Sequence, residues 1–80
     1  MNKEKCRQRI RNLREDNDLT QKKVADYLGI RQNVYSRYEV SKNPYNKMSI
    51  DYLIELCYFY NISADYILGF TNEQKPLQKK

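Results

Sequence analysis

Histidine is absent from this chain, and with it goes much of ordinary enzyme chemistry. The residue is the commonest general base and the commonest metal ligand. The two cysteines, Cys6 and Cys57, stand far apart and form no C-x-x-C pair. Neither a Cys₂His₂ nor a Cys₄ zinc set can therefore be assembled. There is no glycine-rich phosphate loop, and the carboxylates show no paired arrangement. These absences point away from an enzyme and away from any metal or other cofactor. The opening MNKEKCRQRIRN is polar and lacks the apolar stretch of a secretory signal. No apolar run approaches the roughly 18 residues that span a bilayer. A cytoplasmic protein with reduced thiols and no membrane partner is expected. No segment alternates with period two over strand length, and no internal repeat is evident. An all-α fold is expected.

What is present is charge, unevenly placed. The 80 residues carry a net charge of +5. Residues 1–42 hold 11 basic and 6 acidic side chains, whereas residues 43–74 hold 1 basic and 4 acidic. One half of the chain is thus a candidate for a polyanion and the other is not. Eighty residues are expected to make one domain with a modest core, without room for a separate sensor domain.

Helix signals follow one another along the chain. A first helix is expected over Lys3 to Asp16, with Cys6, Ile10 and Leu13 as its apolar stripe. Arg7, Arg9, Arg11 and Arg14 surround that stripe, and Asn17-Asp18 ends it. Thr20 is a good N-cap for a second helix, Gln21 to Leu28, with Val24, Ala25 and Leu28 inward. Gly29 supplies the left-handed backbone of a tight turn. A third helix over Gln32 to Val40 turns Val34, Tyr35 and Tyr38 inward. The segment SKNPYNKM, residues 41–48, reads as a loop. Ser49 caps a fourth helix, Ile50 to Tyr60, whose stripe is read as Ile50, Leu53, Ile54 and Cys57. Asn61 suits the left-handed position that closes it. Ser63 caps a short fifth helix, Ala64 to Leu68, ended by Gly69. Thr71 to Lys80 is polar and is expected to fray. Tyr27, Tyr35 and Tyr38 are expected at buried positions. Tyr52, Tyr58, Tyr60 and Tyr66 are expected on or beside the apolar stripe of the last two helices, so the eight tyrosines read as core or interface.

The second and third helices, joined at Leu28-Gly29-Ile30, have the layout of a helix-turn-helix. Gln32, Asn33, Ser36 and Arg37 then share one outer stripe at i, i+1, i+4 and i+5. Arginine is the usual bidentate partner of guanine, and glutamine or asparagine of adenine. The bland alternative is a polar, solvated helix face.

At this point the chain resembles the Cro/C1-type helix-turn-helix family, which includes phage repressors and the Xre-like regulators of bacteria. The resemblance rests on RIRNLRE at 9–15, TQKKVADYLGI at 20–30, RQNVYSRYE at 31–39 and SIDYLIELCYFYNISADYILG at 49–69. It implies a five-helix, lambda-repressor-like bundle over residues 1–70 and a polar tail over 71–80. It implies a transcriptional regulator, a repressor in the first instance, whose recognition helix enters the major groove of double-stranded DNA. Gln32, Asn33, Ser36 and Arg37 would make the base contacts. Gln21, Lys22, Arg31, Lys42 and Asn43 would contact phosphates. Arg14 and Glu39 would form a structural pair between the first and third helices. Two copies would bind two half-sites, and Ile62, Tyr66, Ile67, Leu68 and Phe70 are the expected dimer surface. Two positions depart from the family pattern: Arg31 stands where serine or threonine is usual, and Ser41 where glycine is usual. The alternative function is an antitoxin-like protein-interaction module on the same fold.

Overall fold

The computed structural model describes residues 3–40 and 48–77. Among them are five helices: α1 (Lys3–Asp16), α2 (Gln21–Leu28), α3 (Gln32–Val40), α4 (Ile50–Tyr60) and α5 (Ala64–Leu68). Their bounds coincide with those expected from the sequence. The local chemistry explains why. Thr20 accepts a hydrogen bond from the Lys23 N–H at the start of α2. Ser49 accepts from Asp51 N–H, and Ser63 from Tyr66 N–H. Each side-chain oxygen satisfies a donor that the helix leaves unpaired.

The helix ends share one solution. Asp18, Gly29, Asn61 and Gly69 all adopt positive φ, at 55°, 73°, 51° and 87°. Past each of them the chain turns back to bond the last turn, as in Leu19 N–H to Arg14 O and Ile30 N–H to Ala25 O, both 3.0 Å. The same bond joins Ile62 N–H to Cys57 O at 3.0 Å and Phe70 N–H to Asp65 O at 2.9 Å. These are Schellman closures. A β-carbon on Gly29 would meet open space, so its left-handed backbone alone calls for glycine. Gly69 differs: a β-carbon there would lie 2.9 Å from the Lys5 side-chain stem, where α1 crosses α5.

The core is built from Ile10 and Leu13 of α1, Val24 and Ala25 of α2, Tyr35 of α3, Leu56 and Cys57 of α4, and Ile62, Tyr66 and Ile67 around α5. α2 packs against α3, and α1 packs against both α3 and α5. Tyr38 bridges from α3 to α4, its ring 6.3 Å from that of Tyr52.

Four expectations need correction. The stripe read on α4 is rotated: Ile50 and Ile54 are 71% and 45% exposed, while Leu56 and Cys57 are buried. Nine of the eleven residues of α4 are apolar or aromatic, so spacing alone cannot select its inward face. Tyr27, expected at a buried position, is exposed, as is Tyr58 beside the stripe of α4. Tyr27 still stacks on Phe59, with ring centroids 4.3 Å apart, and its hydroxyl donates to Glu55. The expected dimer surface is largely core, because Ile62, Tyr66 and Ile67 are all buried within the domain. Leu68 is half-buried, and of that set only Phe70 is broadly exposed.

The segment after α5 is the fourth. Expected to fray, it is instead held along the fold as far as Leu77. Ser63 N–H donates to Lys75 O at 2.8 Å, Gln74 Nε2 donates to the Tyr66 hydroxyl at 3.0 Å, and Leu77 packs on the core. Arg9 does most of the holding. It is buried, its guanidinium lies 4.2 Å from the centre of the Tyr66 ring, and it donates to Tyr66 O, Thr71 O and Asn72 Oδ1. The sequence places Arg9 only among the arginines that surround the apolar stripe of α1, with no sign of this clasp.

Candidate nucleic-acid interface

α3 has two chemically distinct sides. Its inner side holds Tyr35, fully buried, and Glu39, 5% exposed, with Val34 and Tyr38 half-buried. Its outer side carries Gln32, Asn33 and Arg37, all exposed, and Ser36, half-buried. Arg37 enters no ion pair among the described residues. The four side chains thus line one surface, and three of them project freely.

The inner side is anchored by a charge pair. Arg14 Nε donates to Glu39 Oε2 at 2.8 Å and Arg14 Nη2 to Oε1 at 3.1 Å. Arg14 Nη1 also donates to Leu19 O at 3.0 Å, tying the turn before α2 to the same arginine. Gln21 Nε2 donates to Glu39 Oε1 at 3.2 Å. One carboxylate therefore gathers α1, α2 and α3. Burial alone would raise the Glu39 carboxyl. Arg14 donating to it, the Tyr35 hydroxyl facing it, Gln21 donating to it and the Arg14 charge together outweigh burial and hold it below the ordinary carboxylate range. The same contact holds the Arg14 guanidinium above its usual range.

Two phenols complete this region. The hydroxyls of Tyr35 and Tyr60 are buried without a well-directed hydrogen bond. Burial, reinforced by the nearby Glu39 charge, pushes both well above the ordinary tyrosine range, so they stay neutral.

The expected phosphate ligands are placed as follows. Gln21 opens α2 and is half-buried, with its amide nitrogen engaged by Glu39. Lys22 is exposed and lies 3.0 Å from Asp26, one turn on. An exposed pair of this kind is worth little and yields readily to a phosphate. Arg31 is exposed just before α3. Lys42 and Asn43 lie outside the described residues. Elsewhere on α1, Arg11 pairs with Glu15 at 2.8 Å. Burial pushes the Cys6 thiol up, outweighing the Arg7 charge, so the basic neighbours do not activate it. No group of three or more metal-binding side chains occurs among the described residues, and no helix there is long and apolar enough to cross a membrane.

Comparison with known proteins agrees with this geometry. A helix-turn-helix family model matches residues 10–67, which takes in all but the first turns of α1 and most of α5. The chain is 40% identical over 70 residues to the uncharacterized HTH-type transcriptional regulator YobD of Bacillus subtilis (strain 168). That match covers 86% of this chain and 59% of the relative. It is 38% identical over 61 residues to the HTH-type transcriptional regulator ImmR of the same strain, covering 76% of this chain and 46% of the relative. The chain thus spans about half the length of the curated relatives it matches. No solved structure matches. With its elbow at Gly29, its two-sided α3 and these relatives, the chain belongs to the Cro/C1-type helix-turn-helix family.

Proposed function

We propose that this domain binds double-stranded DNA sequence-specifically and regulates transcription, with α3 laid in the major groove. The observation that carries this is the two-sidedness of α3. Tyr35 and Glu39 fix the helix from behind, while Gln32, Asn33 and Arg37 stand exposed in front. A rigid backing matters because a base contact discriminates only if the side chain's root cannot shift. Ser36 borders the same surface. Gln21, Lys22 and Arg31 supply phosphate contacts that set position, and Lys42 and Asn43, shortly after α3 in the sequence, belong to the same set. Repression is the mode proposed, because a small domain seated on its operator can act simply by excluding other proteins. The site of action is cytoplasmic, where the DNA of a bacterial or phage regulator resides.

A second copy is the partner we assign on DNA. Helix-turn-helix domains read two half-sites about one helical turn apart, roughly 34–36 Å, which calls for a self-complementary surface. Ile50, Ile54 and Tyr58 provide one. They follow at i, i+4 and i+8 on the outer side of α4, and all are exposed.

Selection of bound duplexes from a random pool tests the reading. The expected outcome is a short inverted repeat with half-site centres about 10 base pairs apart. Recovery of sequences with no shared pattern would contradict it.

A further inference from the structure

The Glu39 carboxylate lies where both parts of the proposed contact meet. It sits in the last turn of α3, and Gln21 is the first residue of α2. Its side chain is fully shielded from solvent, and Arg14 grips both of its oxygens. With that arginine in place the carboxylate is ionised, and an ionised carboxylate can only accept hydrogen bonds. A glutamine amide alone is ambiguous, since it can turn either its oxygen or its nitrogen toward a neighbour. Against this carboxylate only the nitrogen can be turned, and Gln21 Nε2 stands 3.2 Å from Oε1.

We propose that Glu39 is a positioning residue for the DNA backbone: by accepting one N–H of Gln21, it holds the second N–H of the same nitrogen ready to donate to a phosphate. The inference rests on the reading above that Gln21 contacts a phosphate. It adds a role to a carboxylate that would otherwise be only a support. The free backbone N–H groups at the start of α2 favour the same anion, and the Gln21 amide then meets it as a donor without first having to turn. Because Glu39 belongs to α3, the phosphate contact of α2 and the base contacts of α3 are set in one register. A purely structural Glu39 would stabilise the fold and leave the Gln21 contact independent of it.

A double-mutant cycle separates these cases. Wild type, Gln21→Ala, Glu39→Gln and the double variant are titrated onto one selected duplex, at a temperature where circular dichroism shows all four folded. In the wild-type background, Gln21→Ala should weaken binding about tenfold, the scale of one charge-assisted hydrogen bond. In the Glu39→Gln background, where a neutral amide no longer dictates how Gln21 turns, the same change should cost less than about twofold. Equal losses in both backgrounds would overturn the positioning role and leave the phosphate contact standing. No loss in either would overturn both. Side-chain ¹⁵N relaxation of Gln21 in the wild-type protein gives a reading that does not depend on any variant folding. An order parameter near the rigid-backbone value of about 0.85 is expected, and one below about 0.6 would overturn the proposal.

Discussion

Glu39 shows how one buried charge is kept and what it contributes. An isolated carboxylate in this position would be strongly disfavoured, and it persists because Arg14 meets it with two hydrogen bonds and Gln21 with a third. Removing one partner leaves the other buried and uncompensated, so Arg14→Ala should destabilise the fold by about 3 kcal/mol or more. The pH dependence follows from the direction of the Glu39 shift. Its carboxyl in the folded chain lies below the ordinary 4.5, so below pH 4.5 the unfolded chain takes up the proton first. The stabilisation is therefore complete above that value and is lost as pH falls through the lower folded value. Urea midpoints measured down this acid range should fall more steeply for the wild type than for Glu39→Gln, which has no carboxyl to protonate. Parallel curves would show that this carboxylate does not govern the acid limb.

At the scale of elements, the helices were legible in the sequence because their signals are local. Thr20, Ser49 and Ser63 each satisfy a donor two or three residues away. Gly29, Asn61 and Gly69 each supply a left-handed residue where a helix closes. What stayed illegible was set by distant partners. In α4 the apolar residues Ile50, Leu53, Ile54, Leu56, Cys57 and Phe59 surround the helix, so only contact with α5 and α3 decides which side turns inward. Short apolar α5 read as spare surface, yet Tyr66 and Ile67 complete the core. Arg9 gave no sequence signal at all, since its acceptors lie 57 to 63 residues away. The base-facing stripe of α3 was legible from spacing and family pattern, but the Gln21–Glu39 bond was not. The Arg9 clasp carries its own test. Arg9→Ala removes three hydrogen bonds and the guanidinium's contact with the Tyr66 ring, and should cost about 2 kcal/mol. It should also release the segment 71–77. Amide exchange at Ser63, whose N–H bonds Lys75 O, should then rise well above the wild-type rate while exchange at Val24 follows global stability only. Unchanged protection at Ser63 would mean that the segment is held by other contacts.

For the molecule as a whole, the distribution of charge and apolar surface sets what can bind where. The basic N-terminal half contributes the proposed DNA face through Arg31 and Arg37, and α4 contributes an apolar face. The proposed pairing of two copies through α4 makes Ile54→Lys informative. The residue is 45% exposed, so the change should leave the melting temperature nearly unaltered. Sedimentation in the presence of a two-half-site duplex should show two chains bound per duplex for the wild type with cooperative uptake. The variant should bind the half-sites independently and more weakly. Cooperative binding by Ile54→Lys would place the contact between copies elsewhere.

The central claim is that the outer side of α3 reads base edges, and Arg37 is its most exposed test. Affinities of wild type and Arg37→Ala should be compared across duplexes that differ from the selected site by one base pair at a time. The expected result is a loss of about 1–3 kcal/mol on the best site, with the preference flattened at one base-pair position and retained at the others. A uniform loss at every position, or an unchanged pattern of preference, would contradict the account.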